Sequence, residues 1–228
     1  MAKLIHFPLD PFCRRIRVSL GEYGSTAELV EERPWEGRAA FLELSPAGVL
    51  PVFIDDDETV AVGIEAVSEY LDETRASAGN TLIGVTAAER AETRRLIAWF
   101  DNKFYAEVSG PVLDEKVIRR FLPRDSGGGP PDMARVRAAL SMIRWHLDYI
   151  GHLAESRKWL AGEHLTAADL AAAAHISAID YLGDLPWHEN AAAKAWYQRI
   201  KCRPCFRPLL ADHLRGMPPP RIYADLDF

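Results

Sequence analysis

Leu165-Thr166-Ala167-Ala168-Asp169-Leu170 is the stretch from which the rest of the 228-residue chain can be read. Thr166 stands where a helix needs a residue that can accept from its first free amides. Its hydroxyl is placed to accept from the amide of Asp169, and the Asp169 carboxylate can reach back to the amide of Thr166. Leu165 and Leu170 flank this box as a hydrophobic staple. Aspartate in place of the longer Glu or Gln suits a tight, buried helix start. Loss of Thr166 is expected to cost about 1 kcal/mol or more. Thr166 and Asp169 therefore read as a structural cap with no catalytic role.

Working outward, residues 86–216 read as an all-helical domain. Thr86-Ala87-Ala88-Glu89 is a second capping box, opening a long helix to about Val108. Pro123–Pro131 is an exposed loop holding Gly127-Gly128-Gly129; it lacks the Lys-Ser/Thr of a phosphate loop. Another long helix covers Pro131–Leu153, and the last third holds three more. Residues 217–228 form a proline-led extended tail, since Pro218-Pro219-Pro220 cannot begin a helix. Residues 79–85, with Gly79, Asn80 and Gly84, read as a linker. Before it, residues 1–78 have another rhythm. Lys3–Phe7 reads as a strand, Phe12–Tyr23 as a helix and Ala27–Glu31 as a parallel second strand. Val49–Asp55 and Thr59–Val62 read as a hairpin across an acidic turn, and Ile64–Arg75 as a helix. The order βαβ then ββα fits a thioredoxin-like sheet.

Composition is that of an ordinary globular protein, 48% hydrophobic and 26% charged. No apolar run reaches the roughly 18–20 residues needed to span a bilayer, and the N-terminus has no signal-peptide core, so cytoplasm is the expected compartment. Three cysteines do not make a disulfide framework. Net charge is −6 overall but −8 in residues 1–78 and +3 in residues 79–145. That acidic first domain argues against nucleic acid. The histidines lack metal-ligand spacing, and Cys202-Arg203-Pro204-Cys205 has no second pair, so no metal is expected.

Three segments carry a further resemblance. They are Pro11-Phe12-Cys13-Arg14-Arg15-Ile16-Arg17-Val18, Leu44-Ser45-Pro46-Ala47-Gly48-Val49-Leu50-Pro51-Val52, and Ala66-Val67-Ser68-Glu69-Tyr70-Leu71. With Trp159–Asp169 and Ala195–Pro204, they resemble the glutathione S-transferase superfamily nearly end to end. The resemblance implies a thioredoxin-like α/β domain followed by an all-α domain. It implies a cis proline at Pro51 that turns the backbone of Leu50 toward a ligand. It also implies a glutathione site, and here the pattern breaks. A Ser or Cys usually precedes the Pro-Phe-Cys run; this chain has Asp10, which when ionised cannot donate to a thiolate and repels it. The family's Glu-Ser clamp at the third helix is Gly63-Ile64, with Glu65 adding repulsion. Asp10, Leu50, Pro51, Gly63, Ile64 and Glu65 thus outline a vestigial site without a catalytic residue, and no cofactor is expected. Cys13 reads first as a buried packing cysteine; it is the fallback thiol, because a helix N-terminus lowers thiol pKa. His6 and Tyr23 are weaker substitutes. The alternative is an active transferase or thiol-dependent reductase or isomerase that still uses glutathione.

A fold kept without its chemistry suggests binding. Trp35 lies in a polar stretch, as an interface anchor or as a ring over the domain junction. Arg119, Arg120 and Arg124 precede the glycine loop. In the tail, Tyr223, Asp225 and Asp227 alternate aromatic and acidic character. Together these features are similar to a subgroup of glutathione-transferase-like bacterial division factors. That resemblance implies a cytoplasmic homodimer, at the division site, that binds FtsZ filaments and bundles or curves them; membrane insertion is not expected.

Overall fold

The computed structural model describes residues 1–77 and 79–227. Ala78, the expected end of the first domain, and Phe228, the last residue of the tail, lie outside the described residues. The N-terminal unit is a four-stranded sheet in the order β2-β1-β3-β4. Its strands are β1 (Lys3–His6), β2 (Glu28–Glu31), β3 (Val52–Ile54) and β4 (Val60–Val62). β1 and β2 are parallel, joined across helix α1 (Pro11–Glu22); β1/β3 and β3/β4 are antiparallel. Helix α3 (Ile64–Arg75) follows β4. A six-residue helix, α2 (Ala39–Leu44), fills a stretch without helical periodicity, because only Phe41 of its residues is buried.

The remainder is helical. The capping box at Thr86 forms as expected, but the helix it opens does not stop near Val108. Ala87–Ala98 runs on without a break through Trp99–Ser109, Gly110–Leu113 and Asp114–Ile118 to Arg119–Phe121, and this whole run is called α4. Two parts of it, Trp99–Ser109 and Asp114–Ile118, are π-helical. The Gly110 amide donates to Tyr105 five residues back, which widens the turn where Pro111 has no N–H to give. A Cβ at position 110 would lie 2.8 Å from the Tyr105 carbonyl oxygen, so this turn requires glycine.

Three long helices follow, α5 (Met133–Ser156), α6 (Ala167–Tyr181) and α7 (Ala191–Lys201), and then a four-residue one, Arg207–Leu210. Every residue of α6 is buried, so it forms the axis of the helical unit. Its start is the predicted box, with more donors than the local sequence shows. Asp169 accepts from the Thr166 amide at 3.1 Å, the Leu160 amide at 2.9 Å and the Trp196 indole at 3.0 Å.

The tail is not an extended appendage. Met217 bridges back to Leu214, and Arg221–Ala224 forms a short 3-10 turn that buries Tyr223 completely. The Tyr223 hydroxyl donates to the Leu209 carbonyl at 2.9 Å and accepts from Arg14. An aromatic ring gains more from this burial than a proline-led chain loses in freedom. Tyr223 therefore belongs to the protein's own core and does not face a partner.

Candidate functional site

Asp10 is the N-cap of α1, with Pro11 at the first helical position. Its carboxylate accepts from the Cys13 amide at 2.8 Å. The positive end of the helix dipole is therefore occupied by an anion from the same chain. Burial pushes the Asp10 carboxyl up to about 6; the amides of Cys13 and Phe12 oppose that rise, and the charge of Asp101 adds to it. Cys13 is fully buried in the junction core. Burial and the Asp10 charge push its thiol well above the ordinary range, against the lowering that a helix start alone would give.

The Leu50–Pro51 peptide is cis. The Pro51 carbonyl accepts from the Gly63 amide at 2.9 Å, so the proline and the start of α3 adjoin. Gly63 has φ 85°, a conformation that favours glycine, and caps α3 without a side chain. Ile64 offers only backbone. Glu65 is exposed in the first turn of α3. No side chain of Gly63 or Ile64 is thus available to hold a carboxylate.

Beneath this surface runs a polar network that sequence reasoning missed. The Ser68 hydroxyl donates to the Ile64 carbonyl at 2.6 Å and accepts from Arg15 at 2.8 Å. Arg15 pairs with Asp101 at 2.5 Å. His175 joins Asp101 at 3.3 Å and Ser109 at 2.7 Å. A carboxylate can only accept, so Nε2 of His175 carries the proton and Nδ1 accepts from Ser109. Burial holds the His175 pKa down. Burial also opposes the charge on Asp101, but Arg15 and His175 outweigh it and keep the carboxyl below its usual range. Ser109, His175 and Asp101 superficially suggest a hydrolytic triad, but Ser109 has no exposed surface to meet a substrate. Arg15, Ser68, Asp101 and Asn102 line a cleft of about 350 Å³ between α1, α3 and α4. Nearby, Phe12 packs its ring 5.0 Å from Tyr105. Tyr105 is partly exposed; burial and the charge of Asp10 raise its hydroxyl pKa.

A family model described as glutathione S-transferase, N-terminal domain, matches residues 4–79. A solved glutathione S-transferase from Sinorhizobium meliloti 1021 is 47% identical, covers 100% of both chains and superposes with a TM-score of 0.96. The chain belongs to the glutathione S-transferase superfamily. It is also 45% identical to FtsZ-localized protein A of Caulobacter vibrioides, over 99% of this chain and 97% of that protein. The solved structure of FzlA from C. crescentus covers 100% of this chain and 99% of its own, at 44% identity and a TM-score of 0.93. Of what the resemblance implies, the cis proline is present at Pro51, while Asp10, Gly63 and Ile64 stand where it implies other side chains.

The residues singled out for a partner lie at two places. Trp35 is half-buried, edge-on to Phe7 at 5.0 Å and stacked on Phe121 at 5.9 Å, so its ring closes the junction between the sheet and α4. The Arg33 guanidinium covers Phe121 at 4.6 Å. Arg119 is tied to Glu115 at 2.8 Å, whereas Arg120 and Arg124 are exposed. Asp225 and Asp227 are exposed beyond the buried Tyr223. His6 is buried, and burial with Arg17 lowers its pKa to about 4. Tyr23 donates to Asp72 at 2.7 Å. Cys205 donates to Glu22 at 2.8 Å; burial and that contact push its thiol up to about 12, so it is not a reactive partner for the exposed Cys202. No group of three or more metal-ligating side chains occurs among the described residues, and none of their helices is long and apolar enough to cross a membrane.

Proposed function

We propose that this chain is a non-catalytic, dimeric adaptor that binds FtsZ filaments in the cytoplasm at the division site and bundles or curves them. The observation that carries the loss of chemistry is Asp10: its carboxylate occupies the helix end that would otherwise favour a thiolate. Gly63 and Ile64 supply no side chain to replace the lost clamp, and Cys13 is buried as a thiol. Likeness to FtsZ-localized protein A along nearly the whole chain supports the choice of partner. The exposed Arg120, next to Phe121 in the chain, and the exposed Arg124 offer basic groups, and Asp225 and Asp227 offer acidic ones. A two-fold dimer would present each face twice, which is what cross-linking a polymer requires. Sedimentation with GTP-assembled FtsZ tests this reading. The chain is expected in the pellet at micromolar concentration, and retention in the supernatant rejects it.

A second reading, a working glutathione-dependent enzyme, rests on Tyr105. Its hydroxyl feels the charge of Asp10 and its ring packs against Phe12 at the start of α1, so it could donate to a thiolate there. Calorimetric titration with glutathione separates the two. The adaptor reading expects no saturation at millimolar ligand. Tight binding, with turnover of an electrophile abolished by Tyr105→Phe and unaffected by Cys13→Ser, would establish the second.

A further inference from the structure

β2 forms an outer edge of the sheet, bonded to β1 on one side only. The Glu28 amide donates to Ala2 at 2.9 Å and the Glu32 amide to His6 at 2.8 Å. In a parallel ladder alternate residues face the neighbouring strand. Residues 28, 30 and 32 therefore turn their main chain to β1, and Leu29 and Glu31 turn theirs outward. The edge is open: Glu28, Leu29 and Glu31 are all exposed, Leu29 to 45%. Such edges are ordinarily blunted by lysine, proline or a bulge. This one has none within Glu28–Glu31, and its charges are of one sign. The segment Ser25–Gly37 holds four glutamates against one arginine, in a region of net charge −8.

We propose that the free edge of β2 takes an extended, lysine- or arginine-rich peptide as an additional strand. Main-chain bonds from Leu29 and Glu31 would supply the pairing, and Glu28, Glu31 and Glu36 the selection for cationic side chains. A second copy of this chain is disfavoured, because edge-to-edge pairing would set two acidic edges against each other. The cations already at the rim do not close the site. Lys3 meets Glu28 at 3.7 Å and Arg33 meets Glu31 at 3.5 Å, exposed pairs that another cation can displace at little cost. This site borders the face proposed for FtsZ, because Arg33 meets both Glu31 and the Phe121 ring, but its test does not involve FtsZ.

The experiment is titration of the isotope-labelled full chain with an acetylated, amidated peptide of about 10 residues alternating lysine and valine, followed by NMR. The Leu29 and Glu31 amides are expected to shift and to exchange more slowly with solvent, with affinity falling severalfold as salt rises. Glu31→Pro deletes one outward N–H and leaves the ladder to β1 intact, since Pro is tolerated with its missing donor facing solvent. It is expected to weaken binding about tenfold. Should that variant fail to fold, the same peptide N-methylated at alternate residues blocks pairing from the other side and is expected to lose binding to the unaltered chain. Equal binding of the methylated peptide, equal binding of a glutamate-valine peptide, or no shift at residues 28–32 up to about 1 mM peptide overturns the proposal.

Discussion

At the scale of single residues, Asp10 makes the sharpest claim. Its carboxyl titrates near 6 in the folded chain against an ordinary value of 3.8. Between those two values the folded state keeps a proton that the unfolded chain has released. Ionised Asp10 therefore costs stability above about pH 6, and the cost fades to nothing below about pH 4. Asparagine caps a helix as well as aspartate but carries no charge to bury. Asp10→Asn is expected to stabilise the protein by about 1–2 kcal/mol near pH 8, with the gain vanishing near pH 4. Denaturant melts at the two pH values measure this; a variant less stable at both would show that the charge is welcome at the helix end. The resemblance singled out position 10 in the sequence, but its role as the cap of α1 emerged only in the fold. At Cys13 the dipole of its own helix is outweighed by burial in a cluster that also holds Val117 and Ala178 from distant helices.

At the scale of elements, the start of α6 shows how much a local motif leaves unsaid. Thr166 and Asp169 form the predicted box. The same carboxylate also takes the Leu160 amide and the Trp196 indole. Thr166→Ala removes one exchangeable cap and should cost about 1 kcal/mol. Asp169→Ala strands three buried donors from three segments and should cost about 3–5 kcal/mol. Paired denaturant melts of the two variants check the ratio; similar costs would mean that the long-range bonds contribute little. The strands and α1, α3 and α5 were legible from apolar periodicity, and the second capping box marked the start of α4. The end of α4 was hidden. Gly110-Pro111 looks like a stop for a helix bonded four residues back, and it ceases to be one where the turn widens to five. Short α2 carries one buried residue, too few to make a period.

At the scale of the whole molecule, α1 is the joint between the sheet and the helices. Arg14 donates to Ser177 of α6 at 2.8 Å, Arg15 pairs with Asp101 of α4, and Arg17 pairs with Asp212 at 2.8 Å. Arg14 and Arg15 are buried between the two units, a placement that local sequence does not give. The C-terminal segment completes this joint. Arg14 and Leu209 both bond to Tyr223, and the Tyr181 hydroxyl donates to the Met217 carbonyl at 2.7 Å. Removing residues 217–228 would take Tyr223 from the core and deprive Arg14 of one acceptor, while Ser177, the Pro8 carbonyl and Asp212 remain beside it. An appendage that only meets partners could be cut away without changing the unfolding midpoint. Here the truncated chain is expected to lose about 3–5 kcal/mol, mostly through the missing ring. Tyr223→Phe keeps the ring and deletes the hydroxyl, and should lose about 1–3 kcal/mol. Calorimetry on the full chain and both variants decides the matter. A truncated protein melting with the unaltered chain would return the tail to the solvent, whereas a graded fall makes it the last piece of the core.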